Sequence, residues 1–488
     1  MIKRIFFPLW LLIPFILKAH APDSLELKHY SLPLLKQDFD LTIRSLKEAH
    51  TGLYWYNSQD AFDRYVRKKR GQLHDGMNGL EFYQLLAPII AYTKEGHTNI
   101  RLSKVLQQYL QQRVCYLPVF IKILNGKIYL LNDLPMARSR GSELLSVNGV
   151  KAGTLLQRFM TFEPSDGYNV TGKYRWIEEN AKFNLYYARC FPATKAFTIS
   201  FKDAGGKILT LSKLPGLPLD SLRKQYTAAL NSIPNSVFTL PAKLAIDSTS
   251  ATAVLTINSF QKRRYTAANM DFHTFVKDAF YCIKKQRVSK LIIDIRKNGG
   301  GTEGYEDYLL SFMIRNDYLK YSYVQASAFH YSFYPFSDYR SDWMGLDSAL
   351  RAEHYKSRGG RILRKPGVEE HEKPQADPYT GAIIVLTSGL TYSGGSEFAS
   401  LMRNHTNATF IGEETAGGYY GNTSGYRITL QLPNTGLEVA IPILKFVVNT
   451  PKHGNPFGRG VLPDIAIQPT IQQYLQGIDP EMLRAQKL

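Results

Sequence analysis

A chain of 488 residues is long for one ordinary domain and implies two or three. Hydrophobic residues make up 44% of it, with 26 Phe and 31 Tyr, enough to fill a large core and to exclude a disordered or low-complexity class. The formal charge of +19 is spread along the chain, and its densest run, Arg64 to Arg70, reads as a solvated helix face rather than a nucleic-acid patch. No zinc-finger, glycine-rich phosphate or RNA-binding signature accompanies it, so no nucleic-acid partner is expected. The excess charge points only weakly to an anionic substrate or membrane surface.

The first residues, "MIKRIFFPLWLLIPFILKAHA", have a basic start, an apolar stretch and the small residues Ala19 and Ala21. This pattern predicts a secretory signal over residues 1–21 and a periplasmic or secreted protein, because a membrane span needs roughly 20 apolar residues. No later stretch is apolar for long enough to cross a bilayer. Cys115, Cys190 and Cys282 lie far apart without metal-ligand spacing, and their odd number excludes a fully paired monomer. One disulfide and three thiols both remain open.

Residues 22–105 read as helical, with Leu35, Phe39, Leu46, Phe82, Leu85 and Ile89 near helical spacing. Residues 106–213 change to β-rich character. "CYLPVFIKILNGKIYLL" predicts two strands joined at Asn125-Gly126, and "GSELLSVNGV" a second Asn-Gly turn. The proline-rich passage 214–242 reads as an irregular linker. From 243 to 475 the pattern alternates strand and helix, with Phe272, Phe275, Val276, Ala279, Phe280 and Ile283 on one helical face. "KLIIDI" and "AIIVLTS" are short and mostly apolar, as strands buried on both faces of a parallel sheet are. This segment predicts an α/β core with crossover helices, followed by a tail at 476–488.

Sites in such a sheet form beyond the carboxyl ends of its strands. Two glycine clusters stand there: Asn298 to Gly301 ("NGGG"), and "YSGG" around Ser393. A serine hydroxyl needs a base within hydrogen-bond reach and donors aimed at the oxyanion it creates. Gly394 leaves its amide open at the start of a helix whose dipole adds positive potential. The "NGGG" turn offers a second donor through Gly299 or Gly300. Either cluster alone reads as a strand-to-helix turn, whereas together they read as a site.

"KLIIDIRKNGGG", "IIVLTSGLTYSGGSEFA", "FIGEETAGG" and "GRGVLPDIAI" resemble successive motifs of the tail-specific, or C-terminal processing, serine peptidases of family S41. "GSELLSVNGV" is similar to part of that family's PDZ-like domain, and "EGHTNIRL" to the end of its N-terminal helical region. The resemblance runs in order from about residue 35 to 470. It implies a multidomain α/β fold: an N-terminal helical region, a PDZ-like β-rich domain, and an α/β (ClpP/crotonase-like) catalytic core. It also implies hydrolysis of peptide bonds through an acyl-enzyme on Ser393, with Gly394 and Gly300 as the oxyanion hole and no cofactor or metal. The substrate is then a peptide or protein, held in one scheme by its C-terminus on a sheet edge.

One branch of the family draws its base from a lysine twenty-five residues after the serine, but here Gly418 occupies that position. The histidine-using, tricorn-like branch takes it from the N-terminal region, where His97 of "EGHT" matches. That branch orients its histidine with a glutamate three residues before the glycine of the last motif; Phe457 stands there instead. Glu95, Glu413 and Asp464 are the candidate replacements, and Asp294 reads as structural, paired with Arg296 or capping the turn. These departures keep two rivals in play, a peptidase-like binding protein without catalysis and an esterase using the same nucleophile. The oligomeric state is not legible.

Overall fold

The computed structural model describes residues 26–234, 240–368, 371–450 and 454–488. The expected signal at 1–21 lies outside them. Among the described residues no helix is long and apolar enough to cross a membrane.

Three helices stand near the start of the described residues: α1 (Leu32–Ala49), α2 (Gln59–Arg70) and α3 (Gly79–Tyr92). Ser58 caps α2, and an Asn78/Glu81 capping box starts α3. Leu35, Phe39 and Leu46 of α1 and Phe82, Leu86 and Ile89 of α3 are fully buried, which fits their helical spacing. The region does not end as helix, however. His97 and Thr98 lead into a short strand, β1 (Asn99–Arg101), that belongs to a sheet of the distant core.

The β-rich segment forms the sheet β2 (Ile121–Leu124), β3 (Lys127–Leu130), β4 (Glu143–Val147), β5 (Ala196–Lys202) and β6 (Ile208–Pro215), in that spatial order. Both expected Asn-Gly turns are present, with positive φ at Asn125 and Gly126 and at Asn148 and Gly149, the combination a type I′ hairpin demands. Helix α4 (Thr171–Glu178) lies against the outer edge of β2. The passage expected as an irregular linker instead carries α5 (Leu219–Asn231). Pro218 stands before its first turn, where a missing amide hydrogen costs nothing, so the prolines mark a helix start rather than disorder.

The core is a six-stranded sheet in the order β7 (Ala242–Asp247), β8 (Thr252–Ile257), β9 (Lys290–Asp294), β11 (Ala382–Thr387), β12 (Thr409–Gly412) and β15 (Ile465–Ala466). Only the β7–β8 pair is antiparallel. Leu291, Ile293 and Val385 face the main core, to which α6 (Phe272–Lys285), α7 (Tyr305–Ser311) and α8 (Gly394–His405) contribute. Ile292, Ile384, Leu386 and Ile411 face the other way, beneath Ala485 of the terminal helix α9 (Pro480–Lys487). The expected tail is therefore the cover of one sheet face. A second sheet holds β10 (Tyr321–Ala326), β13 (Gly421–Gln431) and β14 (Glu438–Val448), and β1 joins it along β14.

A buried ion network locks the β-rich segment to the core. Arg175 of α4 grips Glu413, just beyond β12, with two hydrogen bonds of 3.0 and 2.9 Å, pairs with Glu178, and donates to the Ile123 carbonyl at 2.9 Å. Glu178 in turn accepts from the Ile123 amide. Both outward-facing backbone groups of Ile123 on edge strand β2 are thus occupied by side chains. Removing one partner of such a pair leaves an uncompensated buried charge. Glu413→Ala is expected to destabilise the protein by about 3–5 kcal/mol in chemical denaturation; a loss below about 1 kcal/mol would show that the network is dispensable.

Candidate active site

Strands β9 and β11 run side by side and in parallel, so the loops at their carboxyl ends meet. After β9, Asp294 pairs with Arg296 (2.7 Å), which also holds Asp479 at the start of α9 (2.7 Å), as the structural reading of Asp294 requires. After β11, Thr391 bonds back to the Ile295 carbonyl (2.9 Å) and the Tyr392 amide to the Asn298 carbonyl (3.0 Å). The two glycine clusters are therefore one structure. Gly300 has φ 84°, and a Cβ there would fall 2.6 Å from the Gly394 nitrogen and 2.8 Å from Ser393 Cβ, so no larger residue fits.

Ser393 stands at the N-cap of α8 with φ 51° and ψ −130°. A non-glycine residue rarely adopts this conformation, which costs of order 1–3 kcal/mol. It is the sharp strand-to-helix turn that lifts a serine hydroxyl clear of its own helix, reached here without the G-x-S-x-G sequence. Among the described residues no acceptor takes the Gly394 amide hydrogen, which is left free at the helix N-terminus. The Gly300 amide is not free in this way. It donates to Asn298 Oδ1 at 2.9 Å, which corrects the expectation that it faces the oxyanion site. Gly299, exposed beside it, has no acceptor among the described residues.

The pairing of β1 with β14, Asn99 opposite Ala440 and Arg101 opposite Glu438, carries the preceding turn to this helix end. His97 Nε2 lies 3.2 Å from Ser393 Oγ, across 296 positions of sequence. Its ring stacks on Tyr392, with centroids 4.7 Å apart, and Nδ1 lies 2.8 Å from the Tyr392 hydroxyl. Trp176 of α4 meets the Tyr392 ring edge-on at 5.0 Å. Burial, reinforced by the cation of Arg427, pushes His97 down to about 4, so the imidazole is neutral at pH 7. His50, the other histidine nearby, bonds Thr98 at 2.7 Å and takes the Gly52 amide, a structural role.

None of the candidate orienting carboxylates touches His97. Glu95 accepts from Thr423, Glu413 binds Arg175, and Asp464 pairs with Arg403. Phe457 packs on Tyr56 and Tyr420 at the surface. The group on Nδ1 is Tyr392, next to the nucleophile in sequence. Asp166 was also not foreseen: its two carboxylate oxygens accept from the Gly96 amide (2.7 Å) and the Gly418 amide (3.1 Å). It ties the histidine turn to the loop where the lysine-using branch has its base. A Cβ at Gly418 would meet the Gly421 carbonyl at 2.7 Å, so a lysine has no room there. Asp166 sits in "PSDGYN", which reads as an ordinary turn; only Tyr392 had a sequence signal, its adjacency to Ser393.

The three cysteines are unpaired, and the described residues contain no cluster of three or more His, Cys, Asp or Glu able to hold a metal ion.

Residues 251–467 match the model of peptidase family S41. No curated protein matches the chain. Among solved structures it resembles mature CPAF, with a TM-score of 0.60 at 15% identity over 93% of this chain and 97% of that one. A complex of mature CPAF with lactacystin gives the same TM-score of 0.60 and 15% identity, over 93% and 98% of the two chains. The photosystem II D1 C-terminal processing protease gives 0.40 at 14% identity, over 92% and 98%. The family match supports a peptidase, and the CPAF likeness supports the fold.

The buried environment of His97 has a direct readout. Its ring resonances are expected to titrate with a midpoint near 4 rather than the ordinary 6.5, the neutral form persisting above that value. A midpoint above 6 in NMR would place the ring in a solvated setting and contradict the site described.

Proposed function

We propose that this chain, whose residues 251–467 carry the family S41 match, is an exported serine peptidase of the histidine-using kind. The observation that carries this reading is the 3.2 Å approach of His97 Nε2 to Ser393 Oγ at a helix end with a free amide. A nucleophile, a neutral base and an oxyanion donor are the minimum set for acyl transfer.

Ser393 Oγ attacks the scissile carbonyl while His97 Nε2 takes its proton. The tetrahedral oxyanion is held by the Gly394 amide, the α8 dipole and the Gly299 amide of the adjoining turn. The imidazolium then gives its proton to the leaving amine, the C–N bond breaks, and an acyl-enzyme remains. Water, deprotonated by the same imidazole, attacks the ester and frees Ser393. Esters share the same acyl-enzyme, so the chemistry extends to them, but the family match favours a peptide or protein substrate. Both outward backbone groups of Ile123 on edge strand β2 are already taken, which supports a bracing role for that edge rather than one that a substrate strand extends. Export rests on the first 21 residues and places the enzyme in a periplasm or outside the cell.

A fluorophosphonate probe is expected to label the wild type, and Ser393→Ala to abolish labelling and hydrolysis of a denatured protein substrate. His97→Ala is expected to lower kcat by about 10²–10⁴, the usual worth of a positioned base. A folded wild type that takes no label would favour the peptidase-like binding protein.

A further inference from the structure

The tautomer of His97 decides whether it can act as a base. For Nε2 to accept the serine proton it must carry a lone pair, so in the neutral ring the hydrogen must sit on Nδ1. That hydrogen needs an acceptor, and among the described residues no carboxylate is within hydrogen-bond reach of it. The one group among them at that distance is the Tyr392 hydroxyl, 2.8 Å away.

A hydroxyl can donate or accept, and the two choices have opposite results. If Tyr392 donated to Nδ1, the ring hydrogen would move to Nε2, which would then donate to Ser393 and leave no base. The base role proposed for His97 decides between them, since only an Nδ1–H donated to Oη leaves Nε2 a lone pair for the serine proton. Tyr392 Oη also lies against Gly96: a Cβ on that glycine would fall 2.5 Å from it. The Gly96 amide is held by Asp166 Oδ1. Next to Gly96 in the chain, Glu95 has a carboxylate oxygen, Oε1, buried without a hydrogen-bond partner. Among the described residues His97 Nδ1 is the one hydrogen-bond partner of that hydroxyl, and Asp166 and Glu95 act on the phenol only through space.

We propose that Tyr392 is the positioning residue of His97, taking the place of the orienting carboxylate and holding the imidazole with its hydrogen on Nδ1. The role rests on the peptidase reading for its use, though not for its geometry. The reacting atoms balance without Tyr392 changing its protonation. Ser393 loses its proton to Nε2 as Oγ bonds the carbonyl carbon, the Nδ1–H stays donated to Oη throughout, and the phenol remains neutral. Burial, together with Asp166, Glu95 and Tyr56, keeps that phenol protonated far above neutral pH. Stacking of the two rings and the edge of Trp176 fix the orientation. The charged and titratable groups facing this pair are Arg427 on the histidine, and Asp166, Glu95 and Tyr56 on the phenol. A neutral phenol stabilises the imidazolium less than a carboxylate would, and it leaves the base weak and unprotonated at neutral pH.

The test uses the full chain with ¹⁵N-labelled histidine. Ring-nitrogen NMR at pH 7, with the His97 signals assigned by His97→Ala, is expected to show hydrogen on Nδ1 in the wild type. Tyr392→Phe keeps the ring and its stacking; it is expected to shift the hydrogen toward Nε2 and to lower kcat about 10- to 100-fold with KM within twofold. A wild-type ring with hydrogen on Nε2 overturns the proposal. So does a Tyr392→Phe protein that retains hydrogen on Nδ1, whatever its kcat. If that variant does not fold, the wild-type spectrum alone decides. The tautomer is read without substrate, so a chain that hydrolysed nothing would refute the peptidase reading and leave this assignment standing.

Discussion

The site depends on one short pairing, three residues of β1 laid along β14. An imidazole and a hydroxyl 296 positions apart have no local reason to meet. The strand pairing supplies it, and the direction of β1 aims the residues before Asn99 at the start of α8. Everything else in the site is a response to that docking: Asp166 fastens the Gly96 amide, Tyr392 receives the imidazole face, and Thr423 donates to one oxygen of Glu95. A hydrogen-bonded ladder is suited to this task because its register is discrete. A slip by one residue would turn the side chains to the opposite face.

The β-rich segment belongs to the same machine, although it carries no reacting atom. It contributes Asp166 and Trp176 to the surroundings of the histidine and the tyrosine, and Arg175 to the lock on Glu413. Buried ion pairs are poor sources of net stability, because desolvation consumes much of what attraction returns. Their value is orientational, since a bidentate guanidinium and carboxylate meet in few relative poses. The segment is held in a fixed pose against the strands that carry the nucleophile, and the side chains it extends are held with it.

Much of the fold was legible because its signals are local. Asn125-Gly126 and Asn148-Gly149 need only their own backbone torsions to make hairpins, and the apolar runs at 290–295 and 382–387 need only burial. The motifs around Ser393 and His97 marked two side chains that the fold brings within 3.2 Å of each other. What escaped depends on partners far away in sequence. Residues 99–101 have no strand signal apart from β14, and Asp166 looks like any turn aspartate until Gly96 and Gly418 arrive beside it. The prolines before α5 read as a break because their effect on the preceding chain hides their fitness for a first turn. The Gly300 amide departs from expectation through a local competitor, the side chain of Asn298 two residues earlier.

The order in which the ribosome delivers these parts matters as well. The histidine emerges early, the serine near the end, and residues 438–440, which bring the two together, later still. Until the last of these has left the exit tunnel, the growing polypeptide holds a hydroxyl and an imidazole with nothing to unite them. On the proposed reading, a product that stops short of residue 438 cannot bring its imidazole to its hydroxyl, and hydrolytic competence arrives only once that strand is in place. Silencing the nascent chain then needs no separate inhibitory segment.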